Sequence, residues 1–163
     1  MKKKDLIDSL QDQWRVERPE LDTQAMGVVG RVLILAETLK KRANQTLSAH
    51  GLGYTDLDVL ATLRRSGAPF ELRPADLLKS VLIQSGSLTA CLDRLQKADL
   101  ITRVANEKDR RSLSVKLTDH GVSVVDEAIV ARFEEAHDFI SGLSAKEAVT
   151  LETLLRKLTL ADD

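Results

Sequence analysis

Apolar residues recur along this chain with two different periods, and the change from one to the other marks how it is organised. Leu6, Ile7, Leu10 and Trp14 stand at near-helical spacing and predict a short helix from about Asp5 to Trp14, closed by the region of Pro19. Val28, Val29, Val32, Leu33, Leu35, Ala36, Leu39, Ala43 and Leu47 follow at i, i+3, i+4 and i+7 intervals. A long helix is therefore expected between a cap at Asp22 or Thr23 and a stop at Gly51. Leu57, Val59, Leu60 and Leu63 set a third helix, Thr55 to Arg65, with Thr55 as cap candidate and Ser66-Gly67 as its stop. After a brief extended stretch, Pro74 suits a first helical position, where the missing N–H would be unpaired anyway, and a short helix to about Val81 is expected. Leu88, Cys91, Leu92, Leu95 and Ala98 then share one face of the next helix.

At Leu100 the period shortens. Leu100 to Val104 reads as a strand, and Ser112 to Leu117 alternates strictly through Leu113, Val115 and Leu117, so the two pair as a hairpin around the charged loop "NEKDRR". Thr118 caps another helix running to about Ile140. "SAKE", Ser144 to Glu147, is a capping box opening the last helix, whose stripe is Val149, Leu151, Leu154, Leu155 and Leu158. Two short helices joined by a tight turn and followed by a hairpin make a winged helix-turn-helix. The expected fold is mainly α with a small β-hairpin wing. One domain, 1–163, holds a winged helix-turn-helix lobe at 54–118, with helical regions at 1–50 and 119–163 whose uncovered stripes suit a layer joining two subunits.

Composition narrows the class. With 163 residues, 43% apolar, 30% charged and 3% aromatic, the chain is long enough for a real core and poor in the residues of an all-β sandwich. No apolar run approaches the roughly 18 residues of a membrane span, and Lys2, Lys3 and Lys4 lead into Asp5 rather than a signal core, so a cytoplasmic protein is expected. The single cysteine, Cys91, has no internal partner, and His50, His120 and His137 are far apart. No nucleophile–base pair, phosphate loop or metal set can be assembled, so neither an enzyme nor a cofactor is expected. The net charge of −1 hides an asymmetry: Asp93 to Lys116 carries seven basic and four acidic residues, whereas Leu117 to the end carries four basic and ten acidic. Local sign, rather than the total, governs which surface meets a polyanion.

In a winged helix-turn-helix the second helix enters the major groove, where short polar side chains reach base edges and phosphates. Ser85, Ser87, Thr89 and Arg94 are residues of that kind. At the hairpin tip Arg110 is placed to enter the narrow minor groove and Lys108 to pair with phosphate, while Asp109 and Arg111 can form an ion pair that shapes the turn. Spacing alone leaves a solvated charged turn as the alternative, and a winged-helix protein-interaction module without DNA binding as the rival function.

The stretch "SGSLTACLDRLQKADLITRVANEKDRRSLSVKLTDHG", Ser85 to Gly121, resembles the recognition helix and wing of the multiple-antibiotic-resistance regulator (MarR) family of bacterial transcription factors. Three pieces match in order: "LTACLDRLQKADLITR", the Asp109-x-Arg111 wing motif and "VKLTDHG". The resemblance implies an obligate homodimer, joined by its terminal helices, that represses from pseudo-palindromic double-stranded DNA and is released by a small aromatic or anionic effector. It also implies an Asp109–Arg111 brace that aims Arg110. "QWRVERPELD", Gln13 to Asp22, is similar to the urate-responsive branch, and through it Trp14, Asp58 and Arg103 match ligand-binding positions, while a second arginine of that set falls on Cys91. From the residues alone Trp14 can equally pack its helix, Asp58 can serve a helix N-terminus, and Cys91 can be a small core residue.

Overall fold

The computed structural model describes residues 4–82, 85–105 and 113–161, and of residues 85 and 86 the backbone alone. Its packing separates two units, 1–42 and 43–163. Ala43 and Leu47 of the second helix, both fully buried, belong to the larger unit.

In the smaller unit, α1 (Leu6–Glu17) runs three residues beyond the expected Trp14 and starts from a capping box. The Asp8 N–H donates to Asp5 Oδ1 at 2.8 Å and the Asp5 N–H to Asp8 Oδ2 at 3.0 Å. Arg31 of α2 (Gln24–Ser48) donates to both carboxylates, at 2.7 to 3.0 Å. Gly27 and Gly30 let α1 lie close, since a Cβ on either would stand 2.7 Å from Gln11 Nε2 or Ile7 Cδ1. On α2, Val28, Val29, Val32, Leu33, Ile34 and Leu35 are exposed.

The larger unit is built on α3 (Tyr54–Arg65), which buries Leu57, Val59, Leu60 and Leu63. Its cap is Gly53 rather than Thr55: Asp56 turns back to accept the Gly53 N–H at 2.9 Å, and Asn44 accepts the Tyr54 N–H at 2.8 Å. After β1 (Glu71–Leu72), α4 (Pro74–Leu78) begins at its proline as expected, then gives way to a turn before Val81. Helix α5 (Ser85–Lys97) is followed by β2 (Ile101–Ala105) and β3 (Leu113–Leu117). The sheet has three strands rather than a hairpin alone, ordered β1-β3-β2 and antiparallel, with Leu72 opposite Val115 and Ile101 opposite Leu117. Alternation holds at Val115 and Leu117 but not at Leu113, which is exposed while Ser114 is buried. Leu47, Leu60, Leu63, Leu77, Leu95, Ile101, Val115 and Val125 form the centre of the core.

The "LTDHG" segment joins the wing to α6 (Asp119–Ile140). Asp99 ends the α5 turn with a φ of 57°, which turns the chain sharply into β2. The Thr118 hydroxyl donates to Asp99 O at 2.6 Å and accepts the Gly121 N–H at 2.9 Å, capping α6. The Thr118 N–H donates to Leu100 O at 3.1 Å. Gly121 is required here by contact rather than by φ: a Cβ would stand 1.9 Å from Leu100 O. On the other side Arg64 donates two bonds to Asp126, at 2.8 and 3.1 Å, and lies 4.6 Å above the Phe70 ring, tying α3 to α6. Finally α7 (Ala145–Thr159) opens from the expected Ser144–Glu147 capping box and buries none of its residues in the protomer.

Candidate nucleic-acid interface and effector pocket

Helix α5 has two faces. Leu88, Cys91, Leu92 and Leu95 are buried against the core, and Ser87, Thr89, Ala90, Asp93, Arg94, Gln96 and Lys97 are exposed. Ser87 and Thr89 therefore sit where the helix-turn-helix reading expects polar contacts, near the N-terminal end. Of Ser85 only the backbone is described. Lys108, Asp109, Arg110 and Arg111, with the expected Asp109–Arg111 pair, lie outside the described residues.

The charges in the middle of α5 are paired with side chains of neighbouring elements. Arg94 donates through Nη2 at 2.5 Å and Nε at 3.1 Å to Asp56, an aspartate only 6% exposed. Asp93 accepts from Arg103 of β2 at 2.5 Å. Arg103 thus neutralises an acid on the recognition helix and links that helix to the first wing strand. Asp56 was not singled out from sequence, although "GYTD" carries the only local signal for it: an acid three residues past a helix-opening glycine.

Cys91 lies on the inner face of α5, 1% exposed, with Sγ 3.3 Å from Asp56 Oδ1. Burial first, and then the neighbouring Asp56 charge, push its thiol up to about 12. A thiol held protonated and covered is a poor nucleophile.

Between α3 and α6 an open cavity of about 290 Å³ is lined by Tyr54, Leu57, Asp58, Ala61, Arg65, Ile129, Arg132, Phe133 and Ala136. One wall is an exposed aromatic ring, and both charge signs are present. Asp58 Oδ2 accepts the Leu82 N–H at 2.6 Å, so this pocket carboxylate also holds the turn that leads into α5. Arg65 donates to Ser80 O at 2.7 Å in the same turn. Arg132 pairs with Glu135 at 2.5 Å. Of the three positions expected to bind ligand, Asp58 lines this cavity, Arg103 is engaged with Asp93, and Trp14 lies on α1 of the smaller unit with 46% of its surface exposed. Among the described residues no group of three His, Cys, Asp or Glu side chains is placed to hold a metal ion, and no helix is long and apolar enough to cross a membrane.

This arrangement has close counterparts. A family model described as MarR family matches residues 50–112, the stretch from the end of α2 into the wing. The transcriptional regulator PecS of Dickeya dadantii is 33% identical over 152 residues, covering 93% of this chain and 92% of its own. The Escherichia coli MarR protein, as a cysteine-to-serine mutant complexed with operator DNA, superposes with a TM-score of 0.72 at 25% identity, over 95% of this chain and 99% of that one. BpsR of Bordetella bronchiseptica, whose DNA binding is regulated by 6-hydroxynicotinic acid, superposes with a TM-score of 0.71 at 26% identity, over 80% of this chain and 92% of its own. With a relative one-third identical along almost its whole length and a helix-turn-helix whose second helix leaves Ser87 and Thr89 exposed, the chain belongs to the MarR family of DNA-binding transcriptional regulators.

Proposed function

We propose that this regulator is a homodimeric repressor that reads a pseudo-palindromic duplex and releases it when a small aromatic anion enters the α3–α6 cavity. The observation that carries the DNA half is α5 itself: four apolar anchors face the core, while Ser87 and Thr89 stand exposed near its N-terminal end. Short hydroxyl side chains there reach base edges and phosphates. Arg110 supplies the minor-groove contact, with Lys108 on phosphate and Asp109–Arg111 holding the tip. The helical regions 1–50 and 119–163 supply the dimer contacts, and the 54–118 lobe reads DNA. Support comes from the exposed apolar residues of α2 and, separately, from Val149, Leu154, Leu155 and Leu158 on α7, which a lone protomer leaves against water. Two recognition helices must then lie one helical turn of DNA apart, roughly 34 Å. A duplex reader of this kind works in the bacterial cytoplasm.

The effector half rests on the cavity. Its volume is at the small end for a ligand site and suits one or two fused rings stacked near Phe133. Arg65 and Arg132 are the cations that an anionic ring would meet, in place of the arginine that Cys91 displaces from the urate-type set. A carboxylate arriving there repels Asp58, and Asp58 holds the Leu82 N–H ahead of α5. Ligand and DNA then weaken each other by the same factor, as linkage requires. The regulation of BpsR by an aromatic carboxylic acid supports this class over urate itself.

The deciding experiment is selection of bound sequences from random duplexes, followed by affinity measurements across salt concentrations. A recovered palindrome is expected, and Arg110→Ala should weaken binding to it and flatten the slope of log K against log salt by about one. No duplex preferred over random DNA would sink the reading and leave the protein-interaction module. For the effector, Trp14 emission is followed while urate, xanthine and salicylate are added to the protein–DNA complex. No quenching and no release by any of them would remove the aromatic-anion proposal.

A further inference from the structure

We propose that Asp56 is the residue that positions the recognition helix, and that Arg94 is its lever rather than a phosphate contact. One carboxylate, buried in the first turn of α3, gathers three donors. Oδ2 takes the Gly53 N–H that caps α3, at 2.9 Å, while Oδ1 takes Arg94 at 2.5 Å and faces Cys91 Sγ at 3.3 Å. Cys91 and Arg94 are one turn apart on α5, so Asp56 grips that helix at two successive levels. On the other flank the Asp93–Arg103 pair ties α5 to β2. The two neighbouring charges of the helix are thus spent on fixing its rotation about its own axis.

Rotation matters because side-chain tips sit roughly 5 to 6 Å from a helix axis, so a turn of about 20° carries them about 2 Å. That displacement exceeds what a base-edge hydrogen bond tolerates. Burial of Asp56 also sets the sign of its effect. Removing a negative charge beside a phosphate-facing helix should tighten binding to any DNA, whereas loss of a positioning group should weaken binding to the correct sequence only.

The inference rests on the DNA-reading function, and its test is arranged so that the two can fail separately. The probes are the duplex recovered by selection and a random duplex of equal length, with Kd measured over a salt series for wild type, Asp56→Asn, Arg94→Gln and the double variant. Asparagine keeps an oxygen for the Gly53 N–H, so α3 stays capped. Each single variant is expected to cut the preference for the selected duplex about tenfold, the value of one good base contact, with the salt slope unchanged. The double variant should be no worse than the weaker single one, since both break the same link. Circular dichroism establishes folding; where a variant fails it, Arg94→Lys, which keeps the charge but loses the two-point grip, is expected to show the same loss at the same slope. The proposal is overturned if Asp56→Asn leaves the preference intact or tightens binding. It is equally overturned if Arg94→Gln flattens the salt slope by about one, as a phosphate contact would. A wild-type protein that prefers no duplex defeats the DNA-reading function itself, and this inference with it.

Discussion

Gly121→Ala isolates the joint between wing and α6. The added Cβ would stand 1.9 Å from Leu100 O, whereas ordinary contact begins at 3.4 Å, so the first turn of α6 must withdraw by about 1.5 Å. The obstacle is backbone carbonyl, which cannot swing aside as a side chain can. Withdrawal stretches the Thr118 N–H bond to Leu100 O from 3.1 Å and the Thr118 hydroxyl bond to Asp99 O from 2.6 Å, both past useful range. Overpacking of this kind costs about 1 to 3 kcal/mol, and two lost hydrogen bonds add about 1 kcal/mol each. Alanine returns about 1 kcal/mol through its better helix propensity, which leaves a net loss of about 2 to 4 kcal/mol. That is a large share of a typical total of about 5 to 15 kcal/mol. For a chain of this size it corresponds to a fall in Tm of roughly 4 to 16 °C. Urea and thermal unfolding followed by circular dichroism, at one fixed protein concentration because dimerisation adds to stability, give the number. Gly142→Ala is the control, since nothing lies within 4 Å of its added Cβ, and it should change stability by less than about 0.5 kcal/mol. If Gly121→Ala is as stable as that control, the close approach does not govern this joint and the reasoning is wrong.

Four further outcomes are expected. With its thiol pushed from 9.0 to about 12, native Cys91 should react with a thiol reagent at pH 8 about a thousandfold more slowly than the urea-unfolded chain; equal rates would refute its burial. The same shift fixes a sign: between about 9 and 12 the folded state holds a proton that the unfolded chain has released, so the stability this group contributes is present below pH 9 and lost as pH rises towards 12. Stability of the wild type should therefore decline more steeply through that window than that of Cys91→Ala. On α7, Leu154→Asp places a carboxylate in an exposed apolar stripe and should convert a dimer into a monomer in sedimentation equilibrium; a wild-type chain that is already monomeric would refute the dimer layer. In the cavity, Asp58→Ala removes the partner of the Leu82 N–H and should weaken binding to the selected duplex about threefold, because water replaces part of that bond at an exposed turn. Tighter binding by Asp58→Ala would show that the carboxylate does not hold the turn in its DNA-binding form.

Much of the fold could be read along the chain because the forces involved act within four residues. The Thr118 cap, the Ser144–Glu147 box, the proline start of α4 and the Gly51 stop of α2 are local arrangements, and all stand where the spacing put them. Where the reading slipped, a partner outside the local window had usually intervened. Gly53 replaces Thr55 at the start of α3 because Asn44 and Asp56 between them take the first amide groups. The hairpin gained β1 because strand pairing joins Leu72 to Val115, 43 residues away, and no local period encodes that. Leu113 is exposed and Ser114 buried, an outcome of what packs against β3 rather than of the alternation along it.

The candidate site divides along the same line. By itself the sequence determined which helix would present hydroxyl groups and which motifs carry the family, since residue type and short-range spacing suffice for these. Only the tertiary structure decided which acid each arginine meets. From the sequence Arg94 is a candidate for DNA and Arg103 a candidate for the ligand, and in the fold one is held by Asp56, 38 residues earlier, and the other by Asp93. A long flexible side chain can reach any acid within several ångströms of its backbone, and that choice exists only after the helices and strands have been packed together.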